Sequence, residues 1–184
     1  MSFETGLLMR PIETPRLILV APQAHHLEAY VAYCASARAR FVGGPFDAAK
    51  AFDKLCSMAG HWTLRGFGRY VITLKESGQA IGHVGALQID DAELPEMTWT
   101  LWPDDAEGRG YAFEAATAYL AQAKRAVGVD EMLIRIAAGN ARSSKLAERL
   151  GASVDTTIKA AAWMGDGLTY RITLPQVSDP DGAD

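Results

Sequence analysis

Glu107-Gly108-Arg109-Gly110-Tyr111-Ala112-Phe113-Glu114 follows an apolar, strand-like run and opens a long alanine-rich helical pattern. Glycine lets a backbone take up positive φ and approach a ligand closely, while the first turn of a helix offers unpaired N–H groups at the positive end of a dipole. The stretch therefore reads as an anion cradle whose natural guest is a phosphate or pyrophosphate. Its plain alternative is a tight turn into a helix. Neither Gly-x-x-x-x-Gly-Lys-Ser/Thr nor a full Gly-x-Gly-x-x-Gly occurs, so the common nucleotide motifs built on the same physics do not apply.

Outward from the cradle, Glu96 to Trp102 reads as the strand that delivers the chain to it, and Ala112 to about Ala126 as a helix whose small residues let it lie tightly on a sheet. Met132 to Ala138 is a further strand, and strand, helix, strand in that order implies a parallel, right-handed crossover. Asn140 can cap a short helix from about Ala141 to Leu150, which Gly151 ends. Ser153 to Lys159 and Leu168 to Leu174 read as a closing antiparallel pair.

Toward the N-terminus, Arg16 to Val20 is a first strand bounded by Pro15 and Pro22. A helix is expected from about Gln23 to Ala37, with Leu27, Tyr30, Val31 and Cys34 on its apolar side. Gly43-Gly44-Pro45 interrupts it, and Asp47 can cap a second helix carrying Phe52, Leu55, Cys56 and Trp62 as far as about Leu64. These two helices either wall a cleft or simply cover one sheet face. From Tyr70 the period becomes two: Tyr70 to Leu74, a turn around Gly78, and Ala80 to Leu87 form a hairpin in which Gly82 and Gly85 mark bulges or close backbone approach.

A chain of 184 residues, 49% apolar and 22% charged, suits one domain, expected over 1–175, with 176–184 as a disordered polar tail. The net charge of −4 argues against a nucleic-acid surface, which needs clustered Lys and Arg. No apolar run is long enough for a bilayer and Met1 to Met9 lacks the parts of a signal peptide, so a cytoplasmic protein without a membrane partner is expected. Cys34 and Cys56 lack metal or redox spacing and read as small buried thiols. His25, His26, His61 and His83 form no metal motif, and no metal is expected.

The element order resembles that of the GNAT superfamily of acetyl-CoA-dependent N-acetyltransferases, and most nearly its ribosomal-protein-acetylating Rim branch. Three motifs carry the likeness. Gly110-Tyr111-Ala112, with Glu107 three residues before Gly110, stands at the Gln/Arg-x-x-Gly-x-Gly/Ala pyrophosphate loop. Ala112-Phe113-Glu114-Ala115 resembles the Ala-x-Glu-Ala that follows it, and Asn140 with Ser143 matches an Asn-x-x-Ser after the next strand. The resemblance spans about Arg16 to Leu174. It implies a mixed α/β (α+β) fold: a mostly antiparallel sheet of about six or seven strands, about four helices, and splayed central strands. It also implies direct acetyl transfer from acetyl-CoA to a small-molecule or peptide amine, with a homodimer as an allowed state. A CoA-binding domain that regulates or scaffolds without turnover is the alternative.

On this resemblance the cofactor would be held by Glu107, Gly108, Arg109, Gly110, Tyr111 and Ala112 at the cradle and by the strand edge at Thr100, Leu101 and Trp102. Asn140 would bond the pantetheine arm, with helix capping as its other role, and Arg142, Ser143 and Lys145 would lie nearby. Glu96, matching the glutamate of a Glu-x-x-x-x-Leu strand, would be the base acting through water, and Ser143 would help the leaving thiolate. Two departures matter. Glu107 replaces the usual Gln or Arg, so only its backbone carries over, and Ala147 stands where many relatives have the tyrosine acid. The segment from Leu101 to Gly108 is also one residue longer than in the common Rim pattern. Asp90, Asp91, Glu93, Glu96, Asp104, Asp105 and Glu107, with no Lys or Arg among them, read either as a solvated face or as an attraction for a cationic amine. Arg109, Arg142 and Lys145 would offset these acids and meet the outer phosphates.

Overall fold

The computed structural model describes residues 10–176. Its strands are β1 (Ile12–Glu13), β2 (Leu17–Val20), β3 (Arg69–Leu74), β4 (Ala80–Leu87), β5 (Glu96–Leu101), β6 (Glu131–Ile136), β7 (Ser153–Val154) and β8 (Leu168–Thr173). They form one sheet in the order β1-β2-β3-β4-β5-β6-β8-β7, antiparallel at every junction except β5 and β6. The four α-helices are α1 (Leu27–Ala35), α2 (Ala48–Arg65), α3 (Tyr111–Val127) and α4 (Ala141–Arg149).

Two adjustments to the expected strands have simple causes. β1 was not expected because two residues between prolines carry no period; it exists because Ile12 and Glu13 pair with Leu19 and Ile18. The expected strand from Ser153 to Lys159 shrinks to Ser153 and Val154, because Asp155 turns the chain by accepting from the amide of Thr157 at 2.9 Å. β8 then pairs with β6 along its whole length and only secondarily with β7. The tail expected beyond residue 175 lies, from 177 onward, outside the described residues; Gln176 accepts a hydrogen bond from Lys124 at 2.9 Å.

α3 and the sheet make the main core. Tyr111, Ala115, Ala116, Tyr119, Leu120 and Ala123 recur at three- and four-residue spacing and pack on Met97, Met132, Ile134 and Ile136. A smaller core lies on the other face, where Tyr30, Tyr33 and Cys34 of α1 and Ala51, Leu55 and Met58 of α2 meet Val71 and Trp102. The α2 stripe is therefore Ala51, Leu55, Met58 and Trp62, and the expected Phe52 and Cys56 point outward. Cys56 is corrected to an exposed thiol; Cys34 is buried. Asp47 does cap α2, accepting from the Lys50 amide at 2.8 Å.

β4 lies between β3 and β5. Its pairing with β3 slips between Ile72 and Thr73, beside Gly82. At Gly85, φ is +140° and a Cβ would stand 2.4 Å from the Gly68 carbonyl oxygen, so the close approach expected of this glycine is real.

Candidate active site

The parallel junction of β5 and β6 holds at one place. Glu96 pairs with Leu133, whose amide donates to the Pro95 carbonyl at 2.9 Å, and no later residue of β5 pairs with β6. Main-chain groups alternate sides along a strand. Since the Pro95 carbonyl faces β6, so do the main-chain groups of Met97, Trp99 and Leu101. Those of Thr98, Thr100 and Trp102 face β4, as the bond from the Trp102 amide to the Ile81 carbonyl at 2.8 Å attests. Beyond Leu133 the strands part, leaving the Trp99 and Leu101 amides facing a gap. The edge expected at Thr100, Leu101 and Trp102 is thus corrected by one residue of parity. Thr100 and Trp102 turn their backbones to β4, and the Trp102 ring is buried, its Nε1–H donating to His83 Nδ1 at 3.0 Å.

The gap leads to the cradle. Gly108 and Gly110 have φ of +72° and +81°, and Gly110 is the N-cap of α3 with no side chain bonded to the first turn. The amides entering α3 at Tyr111 and Ala112 therefore lie at an uncapped helix N-terminus. A Cβ on Gly110 would point toward Arg16 Nη2, 3.5 Å away. Arg16 was not singled out from sequence, yet it braces the loop: it donates to the Arg109 carbonyl at 3.0 Å and to Glu114, and lies 4.5 Å from the centre of the Tyr111 ring. Glu114 also accepts from Thr14 Oγ1 at 2.6 Å. Burial works to raise the Glu114 pKa, but the bonds from Thr14 and Arg16 outweigh it and hold it low.

Around the loop the charges are shared out. Glu107 accepts from Arg38 at 2.7 Å and pairs with Arg142, so its side chain binds two cations rather than a phosphate. Arg38, also unanticipated, donates to the Leu101 carbonyl at 3.1 Å and the Trp102 carbonyl at 2.8 Å, and pairs with Asp104. Arg109 is exposed with its guanidinium 5.5 Å from the Tyr111 ring centre. Lys145 lines a cleft of about 380 Å³ with Asn140, Ser144, Glu148 and Asp166. The Asn140 side chain caps α4, its oxygen accepting from the Ser143 amide at 3.3 Å; Ser143 itself is half-buried, and Ala147 is fully buried in the main core.

The acidic stretch is not a free negative field. Asp91 pairs with Arg65, Glu93 and Glu96 with Arg135, Asp104 with Arg38, and Glu107 with Arg38 and Arg142. Of the two readings of this run, the attraction for a cationic amine is corrected for these five acids, whose partners come from distant elements; Asp90 and Asp105 form no ion pair among the described residues.

Glu96 borders a cavity of about 100 Å³ with Leu87, Gln88, Glu93, Leu94 and Arg135. Burial raises its pKa, and the Arg135 guanidinium at 3.0 Å reverses this only in part. On the same sheet face, burial and then the charges of Arg69 and Lys54 hold His83 neutral, its pKa far below the ordinary value. Tyr33 hydrogen-bonds Thr100 and is pushed up to about 12, first by burial and then by Cys34. Trp163, exposed and unmarked in the sequence pattern, stands within 4 Å of the space beside Gly43, so the segment after α1 meets the segment before β8. Among the described residues no three His, Cys, Asp or Glu side chains gather as a metal site requires, and no helix is long and apolar enough to cross a membrane.

Residues 16–153 match the family model described as "Acetyltransferase (GNAT) domain". The chain belongs to the GNAT acetyltransferases, enzymes with acetyl-CoA as co-substrate. An acetyltransferase from Agrobacterium tumefaciens is 29% identical, with a TM-score of 0.81 over 94% of this chain and 96% of that one. The ribosomal alpha-N-protein acetyltransferase RimL, solved in complex with coenzyme A, is 15% identical with a TM-score of 0.75 over 90% of this chain and 98% of its own. The microcin self-immunity acetyltransferase MccE, solved with acetyl-CoA and AMP, is 13% identical with a TM-score of 0.69 over 90% and 98%. The last two likenesses are of fold.

Proposed function

We propose that this protein, acting as a single domain over residues 1–175, transfers the acetyl group of acetyl-CoA directly to a primary amine of low pKa, such as a peptide or protein N-terminal α-amine. One observation carries the proposal: β5 and β6 pair at Glu96 and part beyond it, and the chain that leaves the parted end of β5 opens the uncapped N-terminus of α3 at Gly110. A pantetheine arm lying in that gap would meet the amides of Trp99 and Leu101, and the pyrophosphate would meet those of Tyr111 and Ala112. Arg109 and Lys145, which have no ion pair among the described residues, are the side chains available to the outer phosphate, with Arg142 shared with Glu107.

The amine nitrogen attacks the thioester carbonyl, the C–S bond breaks, and the thiolate takes a proton. Positioning supplies much of the acceleration, since holding two reactants in line removes as much as about 7 to 11 kcal/mol from a bimolecular barrier. Glu96, through a water, accepts the amine proton, and its raised pKa makes it a better base than an exposed carboxylate. Ser143 assists the thiolate. Ala147 is closed off in the core, so no acid acts from that position. An α-amine has a pKa of about 7.7 to 8.0 against about 10.4 for a lysine-like amine, so a weak, water-relayed base suffices for the former. RimL, to which this chain is similar in fold, is described as an alpha-N-protein acetyltransferase. The proposal includes a cytoplasmic location and allows a homodimer, which sedimentation would test.

The test is turnover against pH for the wild type and Glu96→Gln with a peptide α-amine. The variant should be slower by about ten- to a thousandfold near neutral pH, and the deficit should shrink as pH rises and free amine accumulates. Affinity for acetyl-CoA should hold. A pH-independent deficit, or one expressed wholly as weaker acetyl-CoA binding, would remove Glu96 from the role of base.

A further inference from the structure

The cations on and around the α1 and α2 face are mostly matched with acids: Arg38 with Asp104 and Glu107, Arg65 with Asp91, Arg135 with Glu93 and Glu96, and Arg171 with Glu131 and Asp155. Arg69 and Lys54 are not. Neither forms an ion pair or a side-chain hydrogen bond among the described residues, although both side chains lie partly buried beside the two helices. Arg69 opens β3 opposite Gly85, which in turn stands opposite Thr98 of β5. The position between Arg69 and Thr98 thus has no side chain, and the three positions share one face of the sheet. Its charge acts on Tyr30 of α1 and on Glu96 two strands away, and it presses on Lys54 of α2. Lys54 lies 4.3 Å from the centre of the Phe46 ring. Two partly buried like charges therefore press on one another, and Glu96, the acid whose charge acts on Arg69, already accepts from Arg135 at 3.0 Å. Such a pair is unfavourable until an anion lies between its members, and a guanidinium fork matches a carboxylate in shape as well as charge.

We propose that Arg69 and Lys54 form a carboxylate-reading subsite of the acceptor cleft, so that the preferred acceptor is a primary amine bearing a carboxylate a few bonds from its nitrogen. The inference rests on the transfer function proposed above and narrows its substrate class. Glu96 lies two residues along β5 from Thr98, on the same face, a separation of about 7 Å along the strand. An amine directed to Glu96 and a carboxylate directed to Arg69 thus fit one small molecule or one N-terminal residue. The same chemistry has two sources: the main-chain carboxylate of a free amino acid, or the side chain of an acidic N-terminal residue of a peptide.

Calorimetric titration of the protein in saturating CoA separates these possibilities, with free glutamate, a Glu-initiated tripeptide amide, an Ala-initiated tripeptide amide and propylamine as probes. At least one of the two carboxylate-bearing probes should bind about tenfold or more tightly than the Ala-initiated peptide and propylamine, and which one it is names the source. In Arg69→Met and in Lys54→Met that ratio should fall toward one, and Arg69→Lys should restore part of it. Equal binding of all four probes to the wild type, or an unchanged ratio in both Met variants with wild-type melting, would overturn the subsite. Lys54→Met decides alone if Arg69→Met does not fold. Thiol release from acetyl-CoA with the same probes separates the two claims. Carboxylate-selective binding without release in any case would fail the transfer function and keep the subsite; release without carboxylate preference would do the reverse.

Discussion

On the α3 face of the sheet, Met97, Met132, Ile134 and Ile136 meet an alanine- and tyrosine-rich helix in one continuous apolar layer. On the opposite face, Tyr30, Tyr33, His83 and Trp102 share the space under α1 and α2 with Arg69 and Lys54, and Glu96 lies beyond them. Both faces belong to the same strands, whose alternate side chains part to the two sides. The first face is closed and supplies stability; the second gives up packing to hold titratable groups beside the gap. Burial without charge and burial with charge should therefore respond differently to substitution and to pH.

The largest difference is expected in stability. Met97→Ala, on the closed face, should cost about 2–5 kcal/mol in chemical denaturation, because a fully buried side chain leaves a cavity behind it. A loss below about 1 kcal/mol would mean that the α3 layer collapses readily and is not the rigid half of the molecule.

A somewhat smaller effect should appear in the pH dependence of folding. His26, buried before α1 with its Nδ1 accepting from the Gln23 amide at 3.0 Å, has a pKa lowered to about 4, first by burial and then by His25. The unfolded chain binds the proton more readily, at a pKa near 6.5, so His26 costs nothing above that value and destabilises the fold progressively as pH falls from about 6.5 to 4. The full shift corresponds to about 3 kcal/mol. Urea midpoints across this window should fall in the wild type and fall less in His26→Gln. Identical slopes would show that His26 does not sense the buried face.

At the cradle, Gly110→Asp should weaken acetyl-CoA about a hundredfold in calorimetry, since it brings a carboxylate within reach of Arg16 and puts negative charge where the pyrophosphate is assigned. It should also cost roughly 1 kcal/mol of stability, because a non-glycine residue would have to hold φ of +81°. Unchanged affinity in a folded variant would move the anion site elsewhere.

What the sequence made legible is local. The cradle needs only two glycines and a helix start, and the Asp47 and Asn140 caps reach three residues ahead. The parallel crossover follows from strand, helix, strand. What it concealed is long-range. Arg38 joins Glu107 across 69 positions and Arg16 joins Glu114 across 98, so the acids of 90–107 looked unopposed when cations from other elements were already upon them. The strand edge was placed within one residue, yet one residue reverses which amides face the gap, and parity is fixed by pairing partners that no single strand reveals. Trp163 lies in a 3-10 turn of 3 residues, too short to carry a period, and its place beside Gly43 comes from a distant segment.

The transfer proposed for this protein brings a thioester, held along the gap and the cradle, to an amine presented from the α1 and α2 face. Its most direct test is the intact mass of a peptide incubated with acetyl-CoA and the purified protein, followed by fragmentation to locate the added group. The account predicts a gain of one acetyl group on the N-terminal α-amine, with one thiol released for each peptide modified. Tight acetyl-CoA binding with no acetylated peptide and no thiol released, across N-terminal residues of different charge, would contradict it.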